Sequence, residues 1–75
     1  MQAEKKIPPS DINLTPKEQE VLNHLALGAT NKHIANELHV QVVTVKLHVR
    51  GIYRKLEVTN RTQAALKAKE LGLVA

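Results

Sequence analysis

The chain has 75 residues and no cysteine, which limits it to one small domain with one core and excludes disulfide staples, thiolate metal ligands and a cysteine nucleophile. No apolar run approaches the roughly 18 residues of a membrane helix, and the opening MQAEKKIPPS lacks the apolar stretch of a signal peptide, so no membrane partner and a cytoplasmic location are expected. Eleven Lys and Arg against seven Asp and Glu leave a formal charge of +4, and residues 42–57 concentrate it, with Lys46, Arg50, Arg54 and Lys55 against Glu57 alone, as a polyanion partner would require.

Residues 1–13, with Pro8–Pro9 and no hydrophobic period, read as a flexible linker or tail, of the kind that joins a module to the rest of a longer chain. The domain is expected over residues 14–75. In its first helix Thr15 is the N-cap, Pro16 takes the first helical position and Glu18 completes a capping box. Val21, Leu22 and Leu25 form the inward stripe, and Gly28 ends the element, so a helix from Pro16 to about Leu27 is predicted. A second, two-turn helix starts after Thr30 and buries Ile34, Ala35 and Leu38. Only His39, Val40 and Gln41 separate it from the third, so the two must meet at a steep angle.

The third helix is predicted from Val42 to about Leu56. Val45, Val49, Ile52 and Leu56 make its buried stripe, while Val43, Leu47, Arg50 and Arg54 lie opposite. Val40, just before the Gln41 cap, is placed to staple onto Val45. The fourth helix begins at Asn60 and stops before Gly72, with Ala64, Ala65, Ala68 and Leu71 inward and Leu66 outward beside Thr62 and Gln63. No strand alternation or hairpin turn occurs, so the fold class is all-α.

A short helix, a tight turn and a longer helix with a basic outer face form a helix-turn-helix, whose second helix can enter the major groove of duplex DNA. Arg50 can present two coplanar donors to guanine, and Leu47 and Val43 can meet thymine methyl groups. Thr44, Lys46 and Lys55 lie further round and suit phosphates, as does His48. The start of the second helix, with Thr30, Asn31 and Lys32, offers free N–H groups and a positive dipole end to another phosphate. A solvated basic face would be the plain alternative, but two large aliphatics opposite the core argue against it. They leave open a second class, a helical adaptor that turns the third helix to another protein. His24, His33, His39 and His48 fit no helical metal-ligand spacing, and no nucleophile, carboxylate pair or glycine-rich phosphate loop points to an enzyme.

The stretches LTPKEQEVL, GATNKHIA, TVKLHVRGIYRKL and RTQAA, taken at their spacing, resemble the LuxR-type (GerE/NarL/FixJ-like) DNA-binding domain, with its L-T-x-x-E-x-E-V-L, G-x-[ST]-N-K-x-I-A, T-V-K-x-H-V-x-x-I-x-x-K-L and R-x-x-A-A patterns. The likeness runs from Leu14 to about Val74. It implies a four-helix helix-turn-helix domain of the LuxR/NarL C-terminal effector type, the output module of a response regulator or ligand-sensing regulator, bound to double-stranded DNA as a homodimer. It implies base contacts from Lys46, Leu47 and Arg50, moving Lys46 from the phosphates to the bases. Backbone contacts then fall to Thr30, Asn31, Lys32, Thr44, His48, Arg54 and Lys55, and a dimer surface to Thr62, Gln63 and Leu66. RNA polymerase is a further expected partner, with no cofactor and no metal. Three positions depart from the pattern. Gln41 stands where a Ser N-cap is usual, which removes roughly 1 kcal/mol of capping. His33 replaces a frequent Glu. Gly51 inside the third helix costs about 1 kcal/mol relative to Ala unless a close approach by DNA or backbone uses it.

Overall fold

The computed structural model describes residues 12–75. The expectation of a flexible tail over residues 1–11 lies outside them. Four helices follow in order: α1 (Pro16–Ala26), α2 (Asn31–Leu38), α3 (Val42–Leu56) and α4 (Arg61–Glu70). The described residues contain no strand.

Each helix starts where side-chain chemistry allows it. Thr15 and Glu18 make the full capping box: the Thr15 hydroxyl accepts from the Glu18 amide at 3.1 Å, and the Glu18 carboxylate accepts from the Thr15 amide at 3.0 Å. Thr30 caps α2 through the His33 amide, and Asn60 caps α4 through the Gln63 amide. The Gln63 carboxamide oxygen turns back to the Thr59 amide and hydroxyl, one residue before the cap. Gln41 makes no side-chain cap for α3, as its departure from the Ser pattern implies. Val40 nevertheless packs against the cluster that holds Val45, where a staple would put it.

All four helices end alike, with a crossed pair of backbone hydrogen bonds around one left-handed residue. In α2 these are His39 N–H to Asn36 and Val40 N–H to Ala35; in α3, Glu57 N–H to Arg54 and Val58 N–H to Tyr53. Gly28 and Gly72 hold that position after α1 and α4. After α2 and α3 it falls to His39 and Glu57, both at φ 58, where a Cβ makes the conformation costly.

The core joins all four helices: Val21, Leu22 and Leu25 of α1, Ile34 and Ala35 of α2, Val45, Val49, Ile52 and Leu56 of α3, and Ala64 and Ala68 of α4. The alanines on α4 let that helix lie close without a large side chain between backbones. Ile12 and Asn13, assigned by sequence to the linker, belong to the folded unit. Ile12 packs on the core, and the Asn13 carbonyl accepts from Lys55 Nζ at 2.9 Å.

Candidate nucleic-acid interface

With Val45, Val49, Ile52 and Leu56 buried, the geometry of α3 dictates what its other side shows. Val43 and Leu47 are 60 % and 62 % exposed, and Lys46, Arg50 and Arg54 are exposed beside them. None of these three bases makes a hydrogen bond or ion pair among the described residues, so the strip offers unspent cationic donors interleaved with aliphatic surface. Guanidinium forks suit guanine O6 and N7, and branched methyls suit thymine C5.

The flank of α3 that turns to α1 is different. Glu18 is 8 % exposed, the only charged residue in the described core. Its carboxylate accepts from Lys55 Nζ at 2.6 Å as well as from the Thr15 amide. Burial works against ionisation here, but the Lys55 and Thr15 hydrogen bonds, together with the positive charge of Lys55 and the field of His48, outweigh it, and the carboxyl sits below its ordinary value. Lys55 thus has two of its three ammonium donors engaged, by Glu18 and by the Asn13 carbonyl. Unlike Lys46, Arg50 and Arg54, it is not set out as a free cation. His48 is half-buried on the same flank, close enough to Glu18 to act on its charge, rather than on the open strip.

Gly51 lies on this flank as well. It is buried against α1, and a Cβ added there would lie 2.6 Å from Glu18 Oε2. The close approach that uses it is a side chain of the core, not DNA and not backbone.

At the other end of the helix pair, Thr30 and Lys32 are exposed and Asn31 is half-buried. The Thr30 hydroxyl is occupied by capping. Asn31 Oδ1 accepts from Arg61 Nη1 at 2.7 Å, and Arg61 Nη2 donates to the Ala29 carbonyl. Arg61, at the first position of α4, is a positioning residue that sequence reading passed over. It ties α4 to the start of α2, and only its place in the RTQAA stretch marks it. Thr44 is half-buried near the start of α3. On α4, Leu66 is 57 % exposed, with Thr62 and Gln63 exposed beside it.

A two-turn helix, a three-residue turn and an exposed basic helix set on a common core define a helix-turn-helix DNA-binding domain of the kind that regulates transcription. Residues 12–68 match the family described as bacterial regulatory proteins, luxR family, and the chain belongs to that family. It is 47 % identical over 62 residues to the transcriptional regulatory protein LiaR of Bacillus subtilis (strain 168), an overlap that covers 83 % of this chain and 29 % of LiaR. Solved structures share the fold, GerE and ChrA among them. Against the transcription factor GerE the TM-score is 0.76 at 32 % identity, covering 83 % of this chain and 92 % of GerE. Against ChrA, the response regulator of a heme-sensing two-component system, it is 0.78 at 39 % identity, covering 81 % of this chain and 30 % of ChrA. The chain spans less than a third of the length of the curated relatives it matches.

Proposed function

We propose that this domain binds duplex DNA by setting the outer strip of α3 in the major groove, with Lys46, Leu47 and Arg50 on base edges. Arg54, Thr44, Lys32, Asn31 and the amides at the start of α2 would hold phosphates around them. The observation that carries this reading is the strip itself: three bases without internal partners alternate with two exposed aliphatics opposite a fully packed stripe. A solvated face has no need of Val43 and Leu47, and an adaptor surface has no need of so much unpaired positive charge.

In this reading the domain is the output module of a larger regulator, either a response regulator, as its likeness to ChrA favours, or a ligand-sensing one. It acts in the cytoplasm where the DNA is and has no catalytic step. Two copies meet on the DNA through Thr62, Gln63 and Leu66 of α4, where an exposed leucine on an otherwise mild face favours a self-complementary contact. RNA polymerase is the downstream partner, since regulating transcription means altering how often polymerase initiates.

Arg50→Ala tests the base-reading role. On a duplex selected for tight binding it is expected to cost about 1–3 kcal/mol, and much less on random-sequence duplex. Equal losses on both would make Arg50 a phosphate ligand and remove it from the base contacts.

A further inference from the structure

A lysine on a DNA-reading helix is an indiscriminate asset. It neutralises a phosphate whatever the base sequence, so each one raises binding to random duplex as much as to the correct site. Helix α3 carries four bases, and the structure treats them unequally. Lys46, Arg50 and Arg54 project freely, while Lys55 is drawn down to the buried carboxylate of Glu18 at 2.6 Å and to the Asn13 carbonyl at 2.9 Å. The arrangement is built rather than incidental. Glu18 Oε1 accepts from both Lys55 Nζ and the Thr15 amide, the latter at 3.0 Å, and the second oxygen fills the space that the missing Cβ of Gly51 leaves open. The carboxylate is thus seated between Gly51 and the ammonium of Lys55.

We propose that Glu18 is a specificity-determining residue of this domain. By holding Lys55 it withholds one of the four bases of α3 from DNA phosphates and limits binding to random duplex. The inference rests on the DNA-binding reading given above and assigns a role to an α1 side chain that faces away from the open strip. Its physical content is a count of phosphate contacts. In the wild type Lys55 contributes no phosphate contact, and its release adds one.

The test is the salt dependence of binding to a random-sequence duplex, measured by fluorescence anisotropy on the whole chain for wild type, Glu18→Gln, Lys55→Gln and the double variant. Gln keeps the size of Glu18 and an oxygen for the Thr15 amide but loses the charge that holds Lys55. In Glu18→Gln the slope of log K against log salt should steepen by about 0.9, so that a tenfold dilution of salt raises its affinity about eightfold more than it raises that of wild type. Lys55→Gln should leave the wild-type slope unchanged, and the double variant should show no steepening. An unchanged slope in folded Glu18→Gln, a steepening that persists in the double variant, or a slope shallower by about 0.9 in Lys55→Gln would each overturn the proposal. If circular dichroism shows Glu18→Gln to be unfolded, Lys55→Gln decides alone by the same two outcomes. A wild-type chain that fails to bind duplex in a salt-dependent way would remove the DNA-binding reading itself. A normal wild-type slope with the variants behaving otherwise than predicted removes only the role of Glu18.

Discussion

At Gly51 the sequence shows a helix-breaking residue in mid-helix, and nothing local explains it. The reason lies 33 positions earlier, in the carboxylate of Glu18, whose Oε2 would be 2.6 Å from a Cβ. Propensity alone makes Gly51→Ala stabilising by about 1 kcal/mol, whereas overpacking costs about 1–3 kcal/mol. The clashing atom is Oε2, the far end of a flexible side chain whose hydrogen bonds to Lys55 and Thr15 both end on Oε1, so a rotation of the carboxylate should relieve most of the overpacking. Urea unfolding of Gly51→Ala is expected to show a change of less than about 1 kcal/mol, the two effects offsetting; a loss of about 2 kcal/mol or more would mean that Glu18 cannot turn aside. The same pair shows where residue-level reading stops. Thr15 and Glu18 were legible as a capping box because both partners lie within four positions. The second job of Glu18, as acceptor for Lys55, depends on packing between α1 and α3 and leaves no mark at short range. The partners of Lys55 leave no mark in the sequence for the same reason, since a helical wheel gives an angle but not the neighbour that occupies it.

Among the elements, helix starts were legible and helix ends only half so. Thr15, Thr30 and Asn60 announce themselves by residue type, and Gly28 and Gly72 do the same for the ends of α1 and α4. His39 and Glu57 close α2 and α3 in the left-handed conformation without being glycine or asparagine, so only the hydrophobic period marked those ends. On α3 the outward direction of Val43, Leu47, Arg50 and Arg54 was legible, because four buried positions over about three turns fix the opposite face. On α4 the buried alanines likewise fix the outward direction of Leu66. Its assignment to a contact between two copies makes a prediction at this scale. Leu66→Glu places a like charge on both sides of a two-fold contact, so it should abolish two-to-one complexes on DNA in native electrophoresis while leaving one-to-one complexes intact. Undiminished two-to-one complexes would exclude that face as the interface.

For the molecule as a whole, the four helices act as a frame that holds one face of α3 in the core and frees the other. Among the cross-ties that join parts of the frame distant in sequence, two bear on the proposed surfaces: Glu18–Lys55 between α1 and α3, and Arg61 to Asn31 and Ala29 between α4 and the start of α2. The second places the surface proposed for self-association one side chain away from a surface proposed for phosphate. All-α class and helix order followed from periodicity and caps alone, but neither tie did, because each depends on how helices lie against one another. The most direct test of the central claim is to titrate the isotope-labelled chain with a short random-sequence duplex at low salt and follow backbone amide shifts by NMR. The account predicts perturbations centred on Val43, Lys46, Leu47, Arg50 and Arg54 and on the first turn of α2, all reversed by added salt. Perturbations centred on α1 or α4, with the outer strip of α3 unmoved, would contradict it.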